Sequence, residues 1–463
     1  MKDVKTKKNT DKLLILLKNP KVLALLFLFI ILAIKLAIIN YPAPEKPPSE
    51  CISNFDGCGF VFDEAHYIPA VRKLLMGEAS NNEHPPLSKF LIMLGIKIFG
   101  DNPLGWRFFS ALSGSISVAL LLLISYRLTR KIELALATAL IYIGDVMTFN
   151  LTSIAMLDAP ALMFLLLGVL LILSKRRVLG SISLGLSMLC KTSSAFGVAA
   201  IVIVDAFNSA LKQEQPRKRI EKGLNTAAFS VIISAVVFIS GLAVYDYAYG
   251  AFPSPFDHLD FILDYHSSLS YRCVENFAYL YCVHKDNPYS EEGVIIDLPL
   301  RWTIPINTFA PSPYYVTEVT IDGYSYKPIA YYGIYSPIWW LTWIILIITT
   351  PGALNFFLYM FLSRRLAVDE KRLIDLFLFI WICLNYFVYF PIGYLLHRWV
   401  YTFYFIQTVP AIALALPHSL WDDRFGKLIL IMIVGVQLWW LFMWFPVKSE
   451  LHVSILKSLG LPA

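Results

Sequence analysis

The run Val22-Leu23-Ala24-Leu25-Leu26-Phe27-Leu28-Phe29-Ile30-Ile31-Leu32-Ala33-Ile34-Lys35-Leu36-Ala37-Ile38-Ile39 is close to the roughly 20 apolar residues that an α-helix needs to cross a bilayer core of about 30 Å. Similar runs recur along the chain, near Leu104 to Tyr126, Leu134 to Phe149, Leu157 to Leu173, Val178 to Leu189 and Ser194 to Leu211. Further ones follow near Ala227 to Tyr247, Ile338 to Phe361, Ile374 to Phe390, Val400 to Leu416 and Leu428 to Phe445. The 463 residues are 57% hydrophobic and 16% charged, against about 25% charged in a soluble domain. The expectation is an all-α polytopic membrane protein with about eleven transmembrane helices, each closing its own backbone hydrogen bonds.

Lysine and arginine bias gives an orientation. The N-terminus carries Lys2, Lys5, Lys7, Lys8, Lys12, Lys18 and Lys21, and alternate loops carry clusters such as Arg127, Arg130, Lys131 and Lys175, Arg176, Arg177. These are expected in the cytoplasm, leaving the C-terminus and two long segments, 40–103 and 249–337, outside. The resulting division is a basic tail (1–21), an N-terminal membrane module (22–248), an outer segment (249–337) and a C-terminal membrane module (338–463). The net charge of +6 is then explained by the cytoplasmic face and is no sign of nucleic-acid binding. The first span follows a basic tail without a small-residue cleavage site and reads as a retained anchor.

Cys51 and Cys58 fall in the first outer segment, and Cys273 and Cys282 in the second. An oxidising compartment would let them pair; a zinc site is the rival reading, but neither pair has zinc-finger spacing. Proline-rich Tyr41-Pro42-Ala43-Pro44-Glu45-Lys46-Pro47-Pro48 leads the chain out as an extended connector. Glu64 to Met76 and Leu87 to Phe99 have apolar residues at helical spacing but are too polar to span, so two helices are expected along the outer surface. The second outer segment, rich in Tyr, Pro and Asp, reads as a small irregular or mixed domain.

The chemistry gathers in the first of these segments. Phe62-Asp63-Glu64-Ala65-His66-Tyr67 and Glu83-His84-Pro85-Pro86-Leu87-Ser88-Lys89 bring carboxylates, imidazoles and an amine to one level. Adjacent side chains on a helix diverge by about 100°, so Asp63 and Glu64 cannot share a proton as a dyad. A solvated acidic pair starting a helix is the plainer alternative. Asp158, at the start of a span, is costly unless paired or functional, and otherwise caps the helix before Pro160. Arg107 lies at the same level and can pair with Asp158 or hold an anion. Lys191, His397 and Arg398 are positive charges on the outer side, against the loop bias. Either a phosphate or interfacial snorkelling would account for them. A metal shared by His66, His84 and nearby carboxylates stays open, although no ligand spacing demands one.

The order of motifs resembles the dolichyl-phosphate-mannose–protein mannosyltransferase family of the glycosyltransferase class C (GT-C) fold. Asp63-Glu64 with His66-Tyr67 is similar to its acidic motif, and His84-Pro85-Pro86-Leu87-Ser88-Lys89 to its His-Pro-Pro-Leu-Gly-Lys element. Trp106-Arg107, Met156-Leu157-Asp158, Gly185-Leu186-Ser187 ahead of Lys191, Ser336-Pro337-Ile338-Trp339-Trp340 and Leu396-His397-Arg398-Trp399-Val400-Tyr401 follow in the family's order. Ser88 stands where the family has glycine, and Thr192 where it has tryptophan.

The resemblance implies an inverting transfer of mannose or a related hexose from a polyprenyl phosphate to serine or threonine of an exported protein. Asp63 would be the base and Glu64 an acceptor-positioning residue. Arg107, Lys191 and Arg398 would hold the donor phosphate, with His84, Lys89, Asp158 and His397 shaping its pocket. The lipid-linked sugar phosphate is the co-substrate and no other cofactor is required, a divalent metal staying open. Obligate pairs occur in the family, so a dimer is open too. The segment at 249–337 is too short for the β-trefoil domain of eukaryotic members, so the resemblance implies a prokaryotic or archaeal type. The rivals are a transferase acting on a glycan or lipid head group, like the aminoarabinose transferases, and a flippase for lipid-linked sugars.

Overall fold

The structure, a computed structural model, describes residues 18–52, 55–211, 213–273, 282–284, 298–304, 312–321, 324–361 and 370–461. Helices dominate. Six helical stretches are long and apolar enough to cross a membrane: Pro20–Ile38, Pro103–Thr129, Pro216–Tyr249, Pro337–Leu358, Leu373–Leu395 and Arg424–Met443. Five shorter apolar helices, Ile132–Ile143, Asp158–Leu173, Arg177–Cys190, Ser194–Ala210 and Val409–Leu420, pack among them. Length and composition alone thus support six crossings of the eleven or so expected. Most of the basic N-terminal tail lies outside the described residues.

The first helix, α1 (Pro20–Ile38), begins where the Asn19 side chain accepts from the Lys21 amide. Two surface-type helices follow as expected, α2 (Glu64–Leu75) and α3 (Leu87–Phe99). They lead into α4 (Pro103–Thr129), where the Asn102 side chain accepts from the Gly105 amide and Pro103 in the first turn has no N–H to satisfy. α3 and α4 meet through backbone: a Cβ on Gly95 would lie 2.1 Å from the Gly105 carbonyl oxygen, so only glycine fits there. α4 then packs against α1, α5 (Ile132–Ile143) and α7 (Asp158–Leu173), with the short α6 (Val146–Leu151) between the last two.

Two expected spans are interrupted. Leu134 to Phe149 breaks at Gly144, where a Cβ would strike Gln437, and Asp145 caps a new helix by accepting from Thr148 N at 2.8 Å. Asp145 also accepts from Trp339 Nε1 at 2.6 Å, so the tryptophan motif ties the helical stretch from Pro337 to the start of α6. Val400 to Leu416 is helical only from Val409; Thr402–Gln407 is a tighter turn that sets Phe403 and Tyr404 inward.

Beyond α8 (Arg177–Cys190), α9 (Ser194–Ala210) and α10 (Pro216–Tyr249), the outer segment forms more regular structure than its composition announces. It contains a helix, α11 (Pro255–Ser268), started by Ser254 accepting from Asp257 N. A hairpin of β1 (Tyr271–Cys273) and β2 (Cys282–His284) and a longer one of β3 (Ser312–Ile321) and β4 (Tyr324–Gly333) follow, both antiparallel. The all-α expectation needs these two hairpins added. Cys51 and Cys58 form a disulfide. Cys273 faces Cys282 in the ladder, but their side chains lie outside the described residues.

One buried ion pair holds the first outer segment to the bundle. Glu64 and Arg107 are both fully buried, with Arg107 Nε and Nη2 each 2.8 Å from a carboxylate oxygen. The remaining guanidinium bonds reach the carbonyls of Ile39, Tyr41 and Gly59, and Glu64 also accepts from the amides of Val61 and Ala155. Removing one partner of such a pair strands the other charge and costs about 3–5 kcal/mol. Arg107→Met should therefore lower the Tm of the purified protein in detergent well below wild type, and an unchanged Tm would contradict this account of the pair.

Candidate active site

The turn into α2 separates the two acidic neighbours. Phe62 adopts φ +54°, a left-handed conformation that costs a non-glycine residue about 1–3 kcal/mol. Its ring packs on Tyr314 of β3 at 4.0 Å between centroids and edge-on to Phe403 at 5.3 Å, contacts that hold the turn. Glu64 consequently points into the bundle, as above, while Asp63 stays half-buried in an open site. Tyr67 Oη donates to Asp63 Oδ2 at 3.3 Å. Burial raises the Asp63 pKa above the usual carboxylate value, opposed by the charges of Lys191 and His66.

Facing Asp63 is the end of α8. Lys191 Nζ lies 2.7 Å from both oxygens of Asp158 at the start of α7, and over the rings of Phe403 (4.7 Å) and Tyr404 (5.2 Å). The sequence offered Arg107 as a partner for Asp158; the structure pairs Asp158 with Lys191 and Arg107 with Glu64. The reason is depth: Arg107, in the second turn of α4, is enclosed by backbone carbonyls before it can reach α7. Ser88 Oγ donates to the Leu157 carbonyl, tying the start of α3 beside Asp158.

The loop before α3 brings His84 in. Lys89, expected to touch the donor, is fully buried, and its ammonium donates to the carbonyls of Ser80 (3.2 Å), Asn81 (2.5 Å) and His84 (2.9 Å). It shapes the loop. The His84 ring sits 5.9 Å from Tyr67 and 5.6 Å from His266, between centroids, and its buried Nδ1 has no hydrogen-bond partner among the described residues. Burial, with Lys191, His266, Lys89 and Arg398 around it, pushes its pKa well down.

The site closes from the outer segment. Arg398 Nε donates to the His266 carbonyl (2.8 Å), Nη2 to His266 Nδ1 (3.0 Å) and Nη1 to the Trp399 carbonyl (3.1 Å). These partners are neutral, and among the described residues no carboxylate pairs with Arg398. His397, at φ +50°, is exposed and packs on Tyr271; it makes the turn that presents Arg398 to α11. That helix is anchored by His258, whose Nδ1 meets Asp246 at 2.7 Å and whose Nε2 meets the Asn82 carbonyl at 2.9 Å. The two contacts fix α11 against the end of α10 and the loop at Asn82.

Asp63, His84, Asp158, Lys191 and Arg398 are thus brought to one site. Glu64, Arg107 and Lys89 stand behind it as supports, and His66 and His397 lie at exposed positions. Among the described residues, no group of three or more His, Cys, Asp or Glu is arranged to hold a metal ion. His266 and the ring wall of Phe403, Tyr404 and Tyr314 escaped the sequence reading, because nothing local marks a histidine in a polar helix or an aromatic in an apolar run. A cavity of about 310 Å³ beside the Arg177–Asp205 pair shares none of these residues.

Residues 83–240 match the family model described as dolichyl-phosphate-mannose-protein mannosyltransferase. That stretch carries the family's pattern. A polyprenol-phosphate-mannose–protein mannosyltransferase of Mycolicibacterium smegmatis is 35% identical over 111 residues, 22% of this chain and 22% of its own length. One from Mycobacterium tuberculosis is 35% identical over 105 residues, 21% and 20%. The matched part therefore spans about a fifth of these relatives. Whole-chain similarity appears in structure. The Saccharomyces cerevisiae protein O-mannosyltransferase Pmt1–Pmt2 complex, bound to its sugar donor, superposes over 92% of this chain and 90% of its own at TM-score 0.59 and 11% identity. ArnT of Cupriavidus metallidurans, bound to undecaprenyl phosphate, covers 94% and 72% at TM-score 0.50 and 14% identity. The fold is GT-C.

The Lys191–Asp158 pair separates stability from function. Lys191→Met leaves a buried carboxylate unpaired, at a cost of about 3–5 kcal/mol, and Lys191→Met with Asp158→Leu should recover most of the lost Tm. Thermal unfolding of the single and double variants checks this. Equal Tm losses in both would mean that the pair is not what the region relies on.

Proposed function

We propose that this protein is an inverting glycosyltransferase that moves mannose or a related hexose from a polyprenyl phosphate to serine or threonine hydroxyls of exported proteins. The observation that carries the proposal is the juxtaposition of a half-buried carboxylate, Asp63, with a lysine held in place by Asp158 and an arginine whose described partners are all neutral. The family match over residues 83–240 and the GT-C fold support it. The charge bias of the loops supports a multi-pass topology with the N-terminus in the cytoplasm and the site on the outer face.

The proposed chemistry needs few groups. A sugar hydroxyl or protein hydroxyl is a poor nucleophile at neutral pH and requires a base within hydrogen-bond reach. Asp63 takes the hydroxyl proton as the oxygen attacks the anomeric carbon from the side opposite the phosphate. The bond from that carbon to the phosphate oxygen breaks, its electron pair leaves with polyprenyl phosphate, and the configuration inverts. Lys191 and Arg398 hold the growing phosphate charge, the electrostatic contribution that carries most weight in a water-poor site. His84 and Asp158 border the sugar, while Arg107 and Glu64, spent on each other, act through the frame. No step requires a metal.

Transfer of labelled mannose from polyprenyl phosphate to a serine- or threonine-containing peptide in detergent tests the reading. Release of polyprenyl phosphate in step with glycopeptide supports it. Labelling of lipid or glycan alone, or no release, overturns it. Asp63→Asn should lower turnover by about 100-fold or more, the scale of losing a general base, with donor binding retained. Since burial raises the Asp63 pKa and the base acts deprotonated, activity should fall on the acid side at a pH above the ordinary carboxylate range. An acid limb at the ordinary value, or one that persists in Asp63→Asn, would remove Asp63 from that role.

A further inference from the structure

Arg398 dictates the chemical state of His266. A guanidinium has only N–H donors, so the 3.0 Å contact between Arg398 Nη2 and His266 Nδ1 makes Nδ1 the acceptor. The single proton of a neutral imidazole must then sit on Nε2. That Nε2 is buried, and among the described residues none meets it in good hydrogen-bond geometry. A buried donor without a good acceptor is destabilising, and a ligand that supplies the acceptor removes that penalty. Burial and the charges of Arg398 and Lys191 keep the ring neutral, pushing its pKa to about 4 against the smaller opposing effect of the Glu83 backbone. The acceptor that suits this place is anionic, since Lys191 and Arg398 surround the ring and no described carboxylate pairs with Arg398.

We infer that His266 is a phosphate-binding residue: Arg398 locks its ring as the Nε2–H tautomer, and that N–H bonds a non-bridging oxygen of the donor's phosphate beside the guanidinium. This deepens the function proposed above and rests on it. The imidazole also transmits Arg398's polarisation, because a hydrogen bond from a cation into Nδ1 makes Nε2–H a stronger donor. The interaction strengthens as the glycosyl bond breaks and charge accumulates on the phosphate. His266 therefore serves the transition state as well as the bound donor, without giving up its proton.

Four full-length proteins test this: wild type, H266A, H266Q and H266N, assayed for undecaprenyl-phosphate binding and for sugar transfer. Loss of a hydrogen bond to a charged group should raise the Kd of H266A by about 10-fold or more. Glutamine places an amide N–H near the lost Nε2 and should return Kd and kcat close to wild type; asparagine reaches only the Nδ1 position and should not. Wild-type affinity in H266A, or rescue by asparagine, overturns the inference while leaving the proposed function standing. Absence of both binding and transfer in wild type overturns both. Should the variants misfold, ¹⁵N spectra of histidine-labelled wild type at pH 7 decide. The expected result is an unprotonated Nδ1 and a protonated Nε2 that shifts when undecaprenyl phosphate is added. A proton on Nδ1, or an Nε2 signal indifferent to the lipid, refutes the assignment.

Discussion

The Glu64–Arg107 pair is the constraint on which the rest of the site depends. Two full charges with no solvent contact survive only because every strong hydrogen-bonding direction is met, by two amides on the carboxylate and three carbonyls on the guanidinium. Those partners belong to the end of α1, the connector behind it, the turn before α2 and the segment leading to α7. A single ion pair thus sets the relative positions of four pieces of chain. It also decides the direction of the neighbouring residue, for with Glu64 drawn inward Asp63 must face the other way.

The cations of the site divide by what they already hold. Lys191 is paired with Asp158 and caged by two aromatic rings, so its position is fixed and part of its charge is already offset. Arg398 is tied to neutral groups and keeps its full charge available. An incoming phosphate would find one cation pre-neutralised and one not, an arrangement that holds a monoanionic diester without binding the dianionic product so tightly that it stays. The aromatic wall matters for the same reason: Phe403, Tyr404 and Tyr314 lower the local dielectric and lengthen the reach of each charge.

Much of this was legible beforehand. The helices α2 and α3 fall within a residue of where apolar spacing put them, and the divergence of Asp63 from Glu64 follows from helical geometry alone. An oxidising compartment made disulfides among Cys51, Cys58, Cys273 and Cys282 plausible, and the structure supplied the pairing of Cys51 with Cys58. The misreadings have a common origin. Leu134 to Phe149 looked continuous because its apolar character is continuous, whereas the break falls at Gly144, where Gln437 of a distant helix packs too closely for any Cβ, and Asp145 starts a new helix. α11 was missed because its helical pattern is weak and its stability comes from His258 reaching Asp246 and Asn82.

What the sequence determined by itself was the solvent and the local geometry. Hydropathy fixes which segments leave water, and residue spacing fixes which face of a helix is apolar, because both are properties of neighbours along the chain. Which charges meet was decided only by tertiary structure. Arg107 and Lys191 are equally plausible partners for Asp158 on a line of letters; burial depth and the prior claim of Glu64 chose Lys191. The same holds for Arg398, whose meeting with His266, 132 residues away, depends on one left-handed turn at His397 and on a helix docked from the other side.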